Sequence, residues 1–150
     1  MTPIYDPQNY DLNNNIAHLM GRVRMALHDA VDEELKPYDL TTAQFVVMRY
    51  LADGMASKAA EVCRAMTSDP GAMTRMIDRL ERKGFVRRVR SVEDRRCAKL
   101  ELTPEGSAVY PKLVAAAVGV LNRFLRGFSI DEVRQMEGLL GRMLANAKEL

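Results

Sequence analysis

Apolar residues at Leu12, Ile16, Leu19, Val23, Leu27, Val31 and Leu35 return every three or four positions, the stripe of one long helix. About 24 residues in this pattern would span roughly 36 Å. Pro37 stops the helix, and Thr41 with Gln44 three residues later forms a capping box that opens a second one. Phe45, Val46, Met48 and Leu51 are its apolar positions, and Asp53-Gly54 closes it. A short third helix is predicted from Ser57 to Met66, with Ala59, Val62, Cys63 and Met66 at helical spacing. After the polar turn Thr67-Ser68-Asp69, Asp69 caps a fourth helix whose first position is Pro70, where a missing N–H costs nothing. Met73, Ile77 and Leu80 form the buried stripe of this helix, Pro70 to Lys83, and Gly71, Ala72, Thr74, Arg75, Asp78 and Arg79 occupy its other faces.

At Gly84 the helix ends and the period changes. Ala98, Leu100 and Leu102 alternate with Lys99 and Glu101, the pattern of a half-buried strand, and Val86 to Arg90 supplies an antiparallel partner. Thr103-Pro104 then restarts a helix that runs to about Phe128, with Val109, Leu113, Ala117, Leu121, Phe124 and Phe128 as its stripe. Ser129 with Glu132 caps a last helix carrying Val133, Met136, Leu140, Met143 and Ala147 on one face. The fold class is therefore mainly α with a small two-stranded β wing. Two helices joined by a short turn, the second presenting small and polar residues at its N-terminus, follow the helix-turn-helix plan for entering a major groove. The flanking helices carry more apolar surface than the lobe at 41–102 can cover, so 12–36 and 103–148 are expected to dimerise and 1–150 to act as one domain.

Charge sharpens this picture. The net charge is only +2, but between Asp69 and Leu102 ten basic residues face six acids, leaving the remainder of the chain acidic. A basic block of this kind is the footprint of a polyanion-binding surface. The hairpin tip, Ser91 to Arg96, is rich in arginine and suits a minor groove or a phosphate backbone. Cys63 and Cys97 form no Cys-x-x-Cys and have no neighbouring histidine, which argues against zinc and against a disulfide framework. His18 and His28 are the only histidines, and neither sits in a catalytic motif, so no enzyme activity and no cofactor are expected. The chain has no long apolar run and no signal-like start, so no membrane partner is expected and a cytoplasmic protein is the reading.

From Leu40 to Gly106 the sequence resembles the MarR family of bacterial transcription regulators. The resemblance is carried by Leu40-Thr41 with Gln44-Phe45, by the run from Asp69 to Arg75, by Asp78 to Gly84, by Asp94-Arg95-Arg96 and by Leu102 to Gly106. It implies a two-fold symmetric homodimer with one winged helix per protomer reading half of a pseudopalindromic DNA operator, the half-sites about 10 base pairs apart. It further implies a repressor, relieved when a small aromatic carboxylate or phenol enters a pocket between the dimer helices and the winged helix. Carried over residue by residue, DNA contacts fall on Ser68, Asp69, Gly71, Ala72, Thr74, Arg75 and Arg79 of the fourth helix. In the wing, Arg96 enters the minor groove, held by Asp94, with Arg95 second. The sequence departs from the family pattern in helix three, where Ala-Ala-Glu-Val-Cys replaces a leucine-rich start.

For the effector, His18, Arg22 and Met25 share one face of the first helix, and Thr42, Phe45 and Arg49 are candidates to oppose them, with Tyr38 and Tyr110 as further walls. An arginine beside a histidine suits a carboxylate, although His18 and Arg22 also fit a solvated face or dimer contacts. Two other functions compete: an oxidant-responsive repressor using Cys97, whose thiol lies beside arginines, and an architectural protein that binds DNA without sequence preference.

Overall fold

The computed structural model describes residues 3–90 and 98–148. Among these, six α-helices and one antiparallel pair of strands follow in the order α1 (Ile16–Leu35), α2 (Thr42–Ala52), α3 (Ala59–Ala65), α4 (Pro70–Arg82), β1 (Val86–Arg90), β2 (Ala98–Leu102), α5 (Pro104–Phe124) and α6 (Ile130–Asn146). A 3-10 turn, Lys36–Tyr38, links α1 to α2.

The core lies where α1, α2, α4 and α5 meet. Leu35, Val47, Met48, Ile77, Leu80, Leu113 and Val120 are completely buried there. Val47 and Val120 belong to this core although the apolar stripes predicted for their helices omit both. The capping boxes hold as predicted: the Thr41 hydroxyl accepts from the Gln44 backbone N–H while the Gln44 side chain accepts from the Thr41 N–H, and Ser129 pairs with Glu132 in the same way.

α3 is shorter than the predicted Ser57 to Met66, and the ends of two other helices differ more from the sequence reading. α1 begins at Ile16 rather than Leu12, because Asn15 arrests it: its side-chain oxygen accepts from the His18 N–H at 3.0 Å, and its amide donates to the carbonyls of Asp11 and Leu12. α5 ends at Phe124 rather than near Phe128, and Gly127, at a φ of 88°, turns the chain toward α6.

The hairpin pairs Val86 with Leu102 and Arg90 with Ala98. It is attached at its base, where the Phe85 N–H donates to the Leu80 carbonyl and the Thr103 N–H donates to the Phe85 carbonyl, both at 3.0 Å. β2 is also tied to the segment before α3, its Leu100 N–H donating to the Ser57 carbonyl at 2.7 Å. No helix is long and apolar enough to cross a membrane among the described residues.

Candidate nucleic-acid interface

The helix-turn-helix is built from α3 and α4. The turn between them passes through Thr67 at a φ of 48°, a left-handed conformation uncommon for a β-branched residue. Two interactions close it: the Ser68 N–H donates to the Cys63 carbonyl, and the Cys63 thiol donates to the Ser68 carbonyl, each at 3.0 Å. This half-buried thiol therefore packs in the turn.

Asp69 caps α4, its carboxylate accepting from the Ala72 N–H at 2.7 Å. Met73, Ile77 and Leu80 anchor the helix in the core. That anchoring turns the opposite face outward, so Asp69, Gly71, Thr74, Arg75 and Arg79 are exposed, with Ser68 and Ala72 half-buried beside them. The Thr74 hydroxyl donates to the Pro70 carbonyl at 2.9 Å, which leaves its oxygen lone pairs facing solvent. Ser68, Asp69, Gly71, Ala72, Thr74 and Arg75 thus cluster at the N-terminal end of α4, where the helix dipole adds positive potential, and Arg79 stands farther along, in the last turn.

The cations around this surface divide into two groups. Lys83 pairs with Asp39 at 2.9 Å, Arg87 with Glu101 across the hairpin at 3.2 Å, and Arg88 with Asp78 and Glu81. Arg75 and Arg79 have no carboxylate partner among the described residues, and both line a small groove between α2 and α4 with Thr41, Gln44, Ala72 and Met76. Charges left unneutralised on an exposed helix face are those available to a polyanion. The predicted wing contacts Asp94, Arg95 and Arg96, and Cys97 beside them, lie outside the described residues.

The effector candidates fall into separate places. Phe45 is in the core with its ring 6.1 Å from that of Tyr110, and Arg49 lies over the ring of Tyr50. Burial raises the Tyr110 hydroxyl above its ordinary pKa, reinforced by the charge of Asp53 and opposed by that of Arg49. Phe45, Arg49 and Tyr110 are therefore neighbours. Thr42 is buried and committed to α1: its N–H donates to the Asp32 carboxylate and its hydroxyl to the His28 carbonyl at 3.2 Å. Tyr38 is half-buried in the 3-10 turn. His18 is half-buried and Arg22 exposed on the first half of α1, and no side-chain hydrogen bond or ion pair joins either to Thr42, Phe45 or Arg49 among the described residues. Two larger cavities are lined differently. One, of about 510 Å³, lies between the α1–α2 corner and α4, with Lys36, Gln44, Arg79 and Lys83 in its wall. The other, of about 550 Å³, is apolar and runs between α1 and α6 past Leu19, Val23, Leu27, Met136 and Leu140.

A capped, cationic second helix in a helix-turn-helix, followed by a two-stranded wing, defines a winged-helix transcription regulator. The sequence model of the MarR family matches residues 40–98. The multiple antibiotic resistance protein MarR of Escherichia coli is 32% identical over 138 residues, covering 89% of this chain and 96% of that protein. A cysteine-to-serine mutant of that MarR, solved with operator DNA, superposes with a TM-score of 0.78 at 30% identity, over 90% of this chain and 99% of the other. The transcriptional repressor MdtR of Bacillus subtilis is 31% identical over 78% of this chain and 75% of its own length. BpsR of Bordetella bronchiseptica, whose DNA binding is regulated by 6-hydroxynicotinic acid, superposes with a TM-score of 0.78 at 26% identity, over 89% of this chain and 96% of its own. The chain belongs to the MarR family of transcription regulators.

Proposed function

We propose that the chain is a sequence-specific repressor that binds a pseudopalindromic operator as a homodimer and releases it when a small aromatic carboxylate or phenol binds. The observation that carries the DNA reading is the outward face of α4, where Gly71 and Ala72 permit close approach and Arg75 and Arg79 have no carboxylate partner among the described residues. Ser68, Asp69 and Thr74 complete the contact set, and Asp94, Arg95 and Arg96 extend it into the minor groove. The operator complex of a MarR mutant and the naming of MdtR as a repressor support the same reading. Regulation of BpsR by 6-hydroxynicotinic acid, a hydroxylated aromatic carboxylate, supports the effector class.

Fluorescence anisotropy of the protein on duplex DNA from its own upstream region and on a scrambled duplex, over a salt series, tests the proposal. A preference of about 10³ or more for the first duplex at physiological salt is the expected result. Equal and steeply salt-dependent binding to both would instead make this an architectural protein. Adding 6-hydroxynicotinic acid or salicylate to the preformed complex should lower the anisotropy, and a complex indifferent to hydroxylated aromatic acids would remove the effector half of the proposal.

A further inference from the structure

We propose that Arg88 is a positioning residue: it braces the wing hairpin against the recognition helix α4, using Asp78 and Glu81 as its two anchors, and so sets where the wing meets the DNA. The inference rests on the DNA-binding reading above and adds to it a residue that is not itself a DNA contact. Arg88 belongs to β1, yet its guanidinium reaches α4 with both terminal nitrogens. Nη2 donates to Asp78 Oδ1 at 2.7 Å, Nη1 donates to Glu81 Oε2, and the Arg88 backbone N–H donates to Glu81 Oε1 at 3.1 Å. Asp78 and Glu81 stand three residues apart on one face of the helix, the spacing that presents two side chains side by side. The planar guanidinium fork holds both in one fixed geometry, whereas a lysine ammonium is a compact point charge on a flexible stem and matches two directed contacts from a fixed β1 register less well.

The hairpin needs such a brace. A two-stranded sheet has little stability of its own, and the cross-strand pair of Arg87 with Glu101 holds the strands to each other without orienting them. Phe85, Val86 and Thr103 fix the base of the hairpin. Arg88 is the tie farthest out along β1 among the described residues, level with the Leu100 N–H to the Ser57 carbonyl on β2, so it shares with that tie the setting of the hairpin against α4. The three partners are all partly exposed. Surface ion pairs of this kind contribute little to global stability, and variants should remain folded.

Coulomb's law and the brace make opposite predictions for Glu81→Gln. Removing an acid beside a DNA-binding surface should strengthen binding if charge alone matters, whereas loss of an anchor should weaken it. The full-length protein is titrated onto the upstream duplex and onto the scrambled one across a salt series, with hydroxyl-radical footprinting of the operator complex. Arg88→Lys and Glu81→Gln should each weaken operator binding by about tenfold while leaving the scrambled duplex within about twofold. Footprints of both variants should lose minor-groove protection flanking each half-site and keep the pattern at its centre. Operator binding by Glu81→Gln at or above the wild-type level would overturn the brace. So would an Arg88→Lys variant that behaves as wild type, or a loss by Arg88→Gln on both duplexes with the salt slope lowered by about one, the mark of a direct phosphate contact. The wild-type titration is the separate control: if it shows no operator preference, the DNA-binding reading fails, whereas wild-type preference retained in the variants fails the brace alone.

Discussion

Gly106 is a position where one methyl group decides whether α5 can start. A Cβ there would stand 2.1 Å from the Phe85 carbonyl oxygen and 2.9 Å from its carbon. Both are backbone atoms held by the Thr103 N–H, so neither can rotate away as a flexible side chain would. The Gly106 N–H also donates to the capping Thr103 hydroxyl at 2.9 Å. Gly106→Ala must therefore push α5 off the base of the hairpin, at a cost of about 3 kcal/mol or more. Urea denaturation should show that loss as a lower midpoint with an unchanged slope, and an unaltered midpoint would mean that the two segments are not in contact. Thr67 illustrates a residue-scale feature that composition hides. A polar turn is readable in Thr67-Ser68-Asp69, but the left-handed backbone of a β-branched residue within it is not.

At the scale of elements, the start of α3 relies on a carboxylate. Lys58 occupies the N-cap, and it is Glu61 that reaches back, accepting from the N–H groups of Ser57 at 2.7 Å and Lys58 at 3.1 Å. The backbone hydrogen bond from Ser57 is the largest influence holding the Glu61 carboxyl below its ordinary value of 4.5, against a smaller opposing effect of desolvation. Because the folded form binds the proton less tightly than the unfolded chain, the stabilisation is complete above about pH 4.5 and is lost as pH falls through the depressed folded value. Glu61→Gln should lower the thermal midpoint at neutral pH and flatten its decline on the acid side. Parallel acid-side curves for the two proteins would show that the carboxylate does not hold this helix end.

The elements that proved legible are those whose signals lie within a few residues. Thr41 with Gln44, Asp69 with Pro70, Thr103 with Pro104 and Ser129 with Glu132 each bring cap and helix start together, and the alternation marks the inward face of β2 at Leu100 and Leu102, though not at the exposed Ala98. Leu12 continues the α1 stripe in sequence while Asn15 has already ended the helix, because a capping hydrogen bond outweighs the periodicity around it. Arg88 was indistinguishable from its arginine neighbours in sequence, since its two anchors come from another element. The effector candidates suffered in a related way. Thr42 and Phe45 are on the helix where they were placed, but tertiary packing, not helical spacing, decides that one is tied to α1 and the other packs against Tyr110.

At the scale of the whole molecule, three helices expose apolar faces that the rest of the chain does not cover. α6 contains no buried residue, and Met136, Leu139, Met143 and Leu144 are exposed along it. The first half of α1 is similar, with Ile16, Leu19, Met20 and Val23 open to solvent, and Leu121 and Phe124 continue the apolar surface on α5. An isolated helix of this length is marginal in water and draws its stability from packing. Exposed apolar residues on three helices, with those of α1 and α6 lining one apolar groove, match an interface between copies more closely than a solvated face. If α1, α5 and α6 join two copies, the spacing of the two winged helices becomes a property of this interface, and operator affinity depends on both lobes binding at once. Leu139→Asp places a charge on the exposed face of α6 without touching the winged helix. It should shift the protein from dimer to monomer in sedimentation velocity at micromolar concentration and weaken operator binding by about 100-fold, because the second lobe no longer gains from tethering. Binding to the scrambled duplex should change far less. A wild-type monomer would overturn self-association and leave the apolar face of α6 to a different partner, and a Leu139→Asp variant that keeps both dimer and operator affinity would move the self-association surface off α6.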